Sequence, residues 1–294
     1  MNKCRAFASD RQCRVVAVSD SIGGRKTMED AFLITEISND DNVDLLVNIF
    51  DGHGGTEVVN ILTKSFIAAF KEAIGHCKSV ALALVETYRV VDQMVMNSKV
   101  RFGGSTACTC FFTTERLEQV LYTAHVGDTR AVLCRAGAAI RLTSASDHKA
   151  CDPAEWERIK QQDGAVFNER VSGMLAVSRA FGDDSMKKTP PKDDPDSLVM
   201  DHVVSAVPDV TSVVLDPERD AFVIVACDGL WDVVSDQEAV NLAIECLHVL
   251  RDKWKDNYGT FSTNFAAEML ATCLTEEALS RGTTDNVTCA IVFI

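Results

Sequence analysis

The chain has 294 residues, of which 47% are hydrophobic, so it can bury a sizeable core in one large domain or two small ones. Its formal net charge of -14 argues against nucleic acid or an anionic membrane as the main partner, because both need a basic surface. No run approaches the roughly 20 apolar residues that span a bilayer, and the first residues lack the apolar stretch of a signal peptide. We therefore expect a cytoplasmic protein, with the nucleus as a second compartment.

The eleven cysteines indicate neither a disulfide framework nor a zinc site, because their number is odd and CxxC pairs and paired histidine spacings are absent. Cys110 and Arg116 have the spacing of a cysteine-based phosphate-binding loop. The residues between them, Phe-Phe-Thr-Thr-Glu, are instead typical of a strand and place an acid where a phosphate needs glycine and free amides. We predict reduced, buried cysteines and no cysteine nucleophile.

In the first half of the chain, strands are predicted at 15–18, 31–37 and 44–50, followed by two helices. Val58, Leu62, Phe66 and Phe70 recur every four residues, which predicts an amphipathic helix. The second helix should run from about 80 to 97, with Ser79 as its cap.

In the second half, closely spaced strands with short turns predict antiparallel meanders. Strands are predicted at 120–126, 131–135, 138–142, 171–179, 203–210, 221–227 and after 287. Two helices are predicted to begin after the capping residues Asp152 and Ser235, and the second of them should end near Leu250. A last helix is predicted at 266–280. The acidic, proline-bearing stretch 183–201 is predicted to be a mobile surface loop. Because strand runs and paired helices segregate, the predicted fold class is α+β, with antiparallel sheets covered by helices.

Asp51-Gly52-His53-Gly54-Gly55 follows the apolar strand 44–50 and predicts a turn at the carboxyl end of that strand. An isolated Asp-Gly is most often an ordinary turn. Here three glycines let the main chain approach a bound group closely, so carbonyls as well as carboxylates can act as ligands. The stretch is therefore typical of a site for a hard cation.

Asp51 is one of seven acids that lie at or beside the edges of apolar segments, and each alone would usually be a helix cap or a solvated turn. They are Glu29, Asp30, Asp51, Asp128, Asp228, Asp232 and Asp285. If the strand ends converge, the carboxylates cannot all stay ionised unless cations neutralise them. All-oxygen ligation selects Mg²⁺ or Mn²⁺ over zinc or copper.

Seven motifs in a fixed order, from about residue 19 to the end, carry a resemblance to a known family. They are residues 24–30 (GRKTMED), 51–55 (DGHGG), 103–107 (GGSTA), 126–132 (VGDTRAV), 170–183 (RVSGMLAVSRAFGD), 228–232 (DGLWD) and 285–288 (DNVT). In this order they resemble the type 2C, metal-dependent serine/threonine protein phosphatases. The resemblance implies a β-sandwich of two antiparallel sheets flanked by pairs of helices, in four layers. It also implies a lead-in at 1–18, one catalytic domain at 19–294 and a variable flap loop at about 184–200.

The resemblance further implies two tightly bound Mg²⁺ or Mn²⁺ ions and a third, weaker site. The implied ligands are Asp51 bridging both ions, Asp228 and Asp285 at one, Glu29 with the Gly52 carbonyl at the other, and Asp128 with Asp232 at the third. Arg25 would hold the substrate phosphate, His53 would act as general acid, and Asp30 would support the ligands from behind. Two ions orient a water for in-line attack on phosphorus, so no phosphoenzyme is required.

The chain departs from the family pattern at 142–150, where two extra residues stand and a proline is missing, so Asp147 and His148 receive no role. The expected partners are phosphorylated proteins, without nucleic acid or membrane, and we expect a monomer. Two alternatives remain: an inactive pseudophosphatase that binds phosphoproteins, and a two-metal phosphodiesterase or nuclease. The filled ligand positions argue against the first, and the acidic balance argues against the second.

Overall fold

The computed structural model describes residues 3–8, 14–38, 43–187, 202–257 and 262–294, and two antiparallel sheets lie at its centre. In spatial order the first sheet is β1 (Lys3–Ala8), β2 (Val15–Ser21), β14 (Val287–Phe293), β13 (Asp220–Ala226), β7 (Arg130–Arg135) and β8 (Ala138–Arg141). The second is β12 (Asp209–Val214), β6 (Glu118–Val126), β5 (Gly104–Glu115), β4 (Val43–His53) and β3 (Ala31–Ser38), and the short β11 (Phe181–Gly182) pairs with β5.

Helices cover the outer face of each sheet. The pair α1 (Glu57–His76) and α2 (Val80–Met96) packs on the second sheet, and the short α4 (Asp228–Trp231) with α5 (Asp236–Asn257) and α6 (Thr263–Ser280) packs on the first. A smaller unit contains α3 (Pro153–Gln161), the two-stranded β9 (Val166–Phe167) and β10 (Arg170–Val171), and a 3-10 turn at Asp184–Met186. Across the described residues, no helix combines the length and apolarity needed to cross a membrane.

The strand β4 shows how the layers arise from the sequence. Successive side chains of a strand point to opposite faces, and β4 is buried on both. Leu46 and Phe50 contact α1 and α2 in one core, whereas Val47 and Ile49 pack between the two sheets in another. An apolar run of this length therefore separates two cores, and the predicted four-layer α+β sandwich is confirmed.

The predicted helices are confirmed with small shifts at their ends. Val58, Leu62, Phe66 and Phe70 are all buried on one face of α1. Ser79 caps α2 by accepting a hydrogen bond from the Leu82 amide.

The other two predicted caps also form. The Asp152 carboxylate accepts from the amides of Ala154 and Glu155 at the start of α3. Ser235 and Glu238 make the reciprocal contacts that begin α5. This helix continues to Asn257, seven residues beyond the predicted end, and α6 begins at Thr263, three residues before the predicted start.

Two strand predictions are wrong. Of residues 171–179, only Val171 belongs to a strand, because Ser172 and Gly173 have φ of +52° and +73° and turn the chain back on itself. Of residues 203–210, only the last two belong to β12, and Ser205 instead exchanges backbone hydrogen bonds with Ser178 and Ala180. Both segments are irregular because they pair with each other across the small α3 unit. Of the predicted flap at 184–200, residues 188–200 lie outside the described part.

Candidate metal centre and active site

Four strands bring an acid to the same end of the sandwich. Asp51 lies near the end of β4, Asp128 and Asp228 lie two residues beyond the ends of β6 and β13, and Asp285 lies two residues before β14. Neighbouring strands are antiparallel, so the end of one lies beside the beginning of the next. Asp51, for example, pairs in register with Thr106 near the beginning of β5. The expected convergence of the strand-end acids is therefore observed.

The central three acids form a compact cluster. One carboxylate oxygen from each of Asp51, Asp128 and Asp228 lies within 4.8 Å of the other two. Burial and the adjacent carboxylates raise the pKa of Asp51 well above its usual value and that of Asp228 to about 8. Such a cluster is stable in ionised form only with a cation among the carboxylates. An all-oxygen group with excess negative charge fits a hard divalent cation such as Mg²⁺ or Mn²⁺.

Glu29 lines the same cavity from the loop between β2 and β3, where hydrogen bonds hold its carboxylate. The Thr27 hydroxyl donates to Oε1 at 2.9 Å and the Gly55 amide to Oε2 at 3.1 Å. Gly52 approaches the same loop so closely that a Cβ there would lie 2.4 Å from the Glu29 carbonyl oxygen. Only glycine fits at position 52, where it lines the same cavity as the acids.

Asp30 lies behind this group. Its Oδ2 accepts from the Thr288 hydroxyl at 2.7 Å, and burial raises its pKa to about 6 despite that hydrogen bond. Its Oδ1 is buried and lacks a hydrogen-bond partner within the described residues. One Asp30 oxygen lies within 4.8 Å of both an Asp51 oxygen and the Cys227 sulfur. The thiol has a pKa raised well above its usual value by burial, so it contributes no charge to the cluster.

Arg25 contacts the cluster through Asp285. Its Nη2 lies 2.5 Å from Oδ2 of Asp285, and its side chain is 58% exposed, so the guanidinium is accessible from solvent. The neighbouring Asn286 anchors the loop that carries Arg25. Its amide donates to the carbonyls of Ile22 and Thr27 and accepts from the Glu29 amide. The last motif of the chain therefore positions the first.

His53 is paired with Asp183. Both carboxylate oxygens of Asp183 lie 3.0 Å from Nε2 of His53. Gly104 makes room for the pair, because a Cβ there would lie 2.2 Å from Oδ2 of Asp183 and 2.7 Å from the imidazole nitrogen. Burial opposes the charged imidazolium, but the hydrogen bond and charge of Asp183 outweigh it and raise the pKa of His53.

The two acids expected at a third cation site are close to a lysine. Nζ of Lys149 lies 3.5 Å from Oδ2 of Asp128 and 3.4 Å from Oδ1 of Asp232. Asp128 is buried, whereas the Asp232 side chain is 60% exposed. A cation at this position must therefore share its ligands with an ammonium group.

These residues line one cavity of about 590 Å³. It is lined by Arg25, Glu29, Asp51, Gly52, His53, Asp128, Asp228, Asp232 and Asp285 from the sequence-based prediction, together with Lys26, Thr27, Thr106, Lys149, Arg170, Asn286 and residues 175–177. Asp30, predicted to lie behind the ligands, is the one candidate that does not line it.

Sequence reasoning assigned no role to four residues that contribute to the site: Lys149, Arg170, Asp183 and Asn286. The last three stand inside the recognised motifs, so a motif-by-motif examination of every polar side chain would have found them. Lys149 lies in the segment 142–150 that departs from the family pattern, and no local signal pointed to it.

Asp147 and His148, left without a role, support the surrounding structure. Asp147 accepts from the guanidinium groups of Arg130 and Arg141. His148 stacks on His125 with ring centroids 4.4 Å apart and accepts from the Gly127 amide, which precedes Asp128. Cys110 is buried between the two sheets and does not line the cavity.

The two-sheet sandwich carries an acidic cavity at one end, and comparison with known proteins identifies the family. The family model described as "Protein phosphatase 2C" matches residues 15–287. The chain belongs to this family of serine/threonine phosphatases. "Protein phosphatase 2C homolog 1" of Schizosaccharomyces pombe is 35% identical over 274 residues, which cover 91% of this chain and 69% of the relative. The protein of the same name from Saccharomyces cerevisiae is 34% identical over 84% of this chain and 80% of its own.

Solved structures show the same fold. The crystal structure of a phosphatase from a pathogenic strain of Toxoplasma gondii superimposes with a TM-score of 0.77 at 19% identity, covering 99% of this chain and 95% of that one. A serine-threonine phosphatase 2C from the same organism gives 0.71 at 23% identity, with 99% of each chain covered. The family membership and the α+β sandwich predicted from the sequence are confirmed.

Proposed function

We propose that this chain hydrolyses phosphoserine and phosphothreonine in protein substrates by direct attack of water, with Mg²⁺ or Mn²⁺ as cofactor and without a phosphoenzyme. The observation that carries the proposal is the cluster of Asp51, Asp128 and Asp228, whose oxygens lie within 4.8 Å of one another and which lines a solvent-accessible cavity. Such a cluster needs cations, and the cavity offers cationic side chains for a phosphate.

The donors available for the cations are all oxygens. Asp51 would bridge the two tightly bound ions, Asp228 and Asp285 would complete one, and Glu29 with the Gly52 carbonyl would complete the other. Asp128 and Asp232 would hold the third, weaker ion next to Lys149. When bound, the cations would lower the pKa of a water and orient it for attack on phosphorus.

The remaining residues bind phosphate and handle the leaving-group proton. Arg25 presents a planar fork of donors suited to two phosphate oxygens, and its exposure lets it exchange Asp285 for substrate. Arg170 and Lys149 also line the cavity and add positive charge. His53, held by Asp183, would donate a proton to the departing serine or threonine oxygen.

The lining argues for direct hydrolysis. Among the described residues that line the cavity there is neither cysteine nor serine. The two threonine hydroxyls are already engaged, that of Thr27 with Glu29 and that of Thr106 with Thr129 at 2.5 Å. A threonine nucleophile would have to break one of these contacts, whereas water needs no such rearrangement.

The alternative of an inactive pseudophosphatase is weaker, because each predicted ligand position carries an oxygen donor and all of these positions line the cavity. Phosphorylated proteins are the proposed substrates. The monomeric state and the cytoplasmic or nuclear location stay predictions.

Phosphate release from a panel of phosphopeptides tests the proposal. Activity should disappear after dialysis against a chelator and return with Mn²⁺ or Mg²⁺, and Asp51→Asn should abolish it. Glu72→Gln, which removes an exposed acid from α1, is the matched control and should leave activity unchanged. Full activity of the dialysed protein in EDTA would refute metal dependence, and an inactive but correctly folded, metal-loaded protein would favour the pseudophosphatase.

A further inference from the structure

A second cavity, of about 220 Å³, lies at the opposite end of the sandwich. Its walls include Leu45 and Phe112, which are paired in register at the far ends of β4 and β5. Asp51 and Thr106, at the catalytic end, are paired six residues further along the same strands. At about 3.4 Å per residue, the two cavities are separated by roughly 20 Å of strand. The second cavity is thus not an extension of the catalytic one.

The cavity has an apolar floor and one cation. Leu45, Phe112 and Leu215 are buried residues of the core between the sheets. The Arg14 side chain lies over the Phe112 ring, with its guanidinium carbon 4.8 Å from the ring centroid. Its Nη2 donates to the Gln119 side-chain oxygen at 2.5 Å. The guanidinium is therefore held in place by an aromatic face and a neutral amide.

No carboxylate balances this cation within the described part of the chain. Among the described residues that line the cavity, Glu36 has the one acidic side chain; it is exposed and forms no ion pair with Arg14. Burial lowers the pKa of Arg14, and no neighbouring charge raises it. By contrast, Arg130, Arg135 and Arg179 are each paired with an aspartate. A partly buried guanidinium without an anion is costly, because its desolvation is not offset by an opposite charge.

We propose that this cavity binds a small organic carboxylate, with the carboxylate on Arg14 and an apolar body against Leu45, Phe112 and Leu215. The carboxylate would supply the missing negative charge and accept the guanidinium donors that Gln119 leaves unused. The volume exceeds the roughly 150 Å³ that accommodates benzene in an engineered apolar cavity and is below the usual size of drug sites, which favours a compact ligand. This proposal does not depend on the phosphatase activity.

Octanoate is the probe, and isothermal titration calorimetry with the full chain measures its binding. Octanamide has the same hydrocarbon chain without the negative charge, and acetate has the carboxylate without the hydrocarbon chain. Octanoate should bind at one site, and octanamide and acetate should bind at least about tenfold more weakly, because a hydrogen-bonded charge and apolar burial each contribute at least about 1.4 kcal/mol. Equal binding of octanamide, or no octanoate binding at millimolar concentration, would overturn the proposal.

Matched variants locate the site. Arg14→Gln should weaken octanoate binding by about tenfold or more. Arg116→Gln removes the same charge from an exposed turn at this end of the sandwich and should have no effect. Arg25→Ala, in the catalytic cavity, should also leave octanoate affinity unchanged. If Arg25→Ala abolishes binding and Arg14→Gln does not, the ligand occupies the catalytic cavity and the proposal is wrong. The thermal midpoint of Arg14→Gln without ligand should be equal to or above that of the parent, which excludes misfolding as the cause of lost binding.

Discussion

Asp183 and His53, 130 residues apart in the chain, form a hydrogen-bonded pair in which both carboxylate oxygens lie 3.0 Å from Nε2 of the imidazole. Asp183 has φ of +53°, in the left-handed region, directly after the short strand β11. This backbone turn directs the carboxylate toward His53.

If His53 is the general acid, its importance should depend on the leaving group. A serine alkoxide needs a proton, and a positioned acid contributes about 10²–10⁴-fold. The phenolate of p-nitrophenyl phosphate needs little such help. His53→Gln should therefore lower kcat strongly on a phosphopeptide and much less on p-nitrophenyl phosphate, with metal affinity nearly unchanged.

Asp183→Asn should also lower kcat more on the phosphopeptide than on p-nitrophenyl phosphate, with a smaller loss than His53→Gln. The double variant should lose little more activity than His53→Gln alone, because both residues act through one proton donor. Equal losses on both substrates with weaker metal binding would instead assign His53 to orienting the metal ligands.

The segment that carries Asp183 is anchored by a buried ion pair. Nζ of Lys187 lies 2.7 and 2.8 Å from the two oxygens of Asp92 on α2, which also accepts from the Gly182 amide. The Lys187 side chain has no exposed surface. Asp92→Ala leaves this buried ammonium without a carboxylate, with only the Ala180 carbonyl to accept from it among the described residues, and should lower the free energy of unfolding by about 3–5 kcal/mol.

The control for this prediction is Arg101→Gln, which breaks the exposed Arg101–Asp184 pair in the same region and should cost less than about 1 kcal/mol. Urea denaturation of the three proteins measures the difference. A loss for Asp92→Ala no larger than that of the control would show that the Lys187 pair does not anchor the segment.

Lys149 should compete with the third cation. Its ammonium lies within 3.5 Å of carboxylate oxygens of both Asp128 and Asp232. A metal ion at the third site is therefore repelled by an adjacent positive charge. Lys149→Met should lower the Mn²⁺ concentration for half-saturation of the weak site by about fivefold or more. Lys26→Met, which removes a lysine from the same cavity, is the control and should change it much less.

Asp128→Ala should leave two ions tightly bound while turnover falls, as calorimetry and steady-state kinetics can check. Loss of both tight ions in Asp128→Ala would contradict the assignment of this residue to the third site. An unchanged half-saturation in Lys149→Met would show that the lysine does not affect that site.

The metal-free protein should become less stable as the pH rises. The pKa of Asp228 is about 8 in the folded chain against 3.8 ordinarily, so between these values the folded state binds a proton that the unfolded state has lost. Burial and neighbouring acids raise the pKa of Asp51 in the same direction. In chelator, the thermal midpoint should fall between about pH 5 and about pH 8, and Asp228→Asn should flatten this slope.

Saturating Mn²⁺ should remove or reverse the slope, because the cation binds the ionised carboxylates. A metal-free midpoint that rises over this range would contradict the raised pKa values.

The amino-acid sequence by itself determined the architecture and the identity of the acids. Apolar residues that alternate, or that recur every 3.6 residues, indicate which face of a strand or helix is buried. Capping residues such as Ser79 and Asp152 indicate where a helix begins. These signals depend on residues a few positions apart. The same local reasoning placed Asp51, Asp128 and Asp228 at strand ends, and the ordered motifs indicated the family.

Only the tertiary structure decided how these groups contact one another. Arg25 and Asp285 pair across 260 residues, and Lys149 contacts Asp232 across 83. Most of the strands predicted at 171–179 and 203–210 is irregular, because residues 178–180 form backbone hydrogen bonds with Ser205 rather than with a strand of a sheet. A local pattern has no information about which distant segment supplies a charge or a hydrogen bond, because that partner is selected by the packing of the two sheets and their helices.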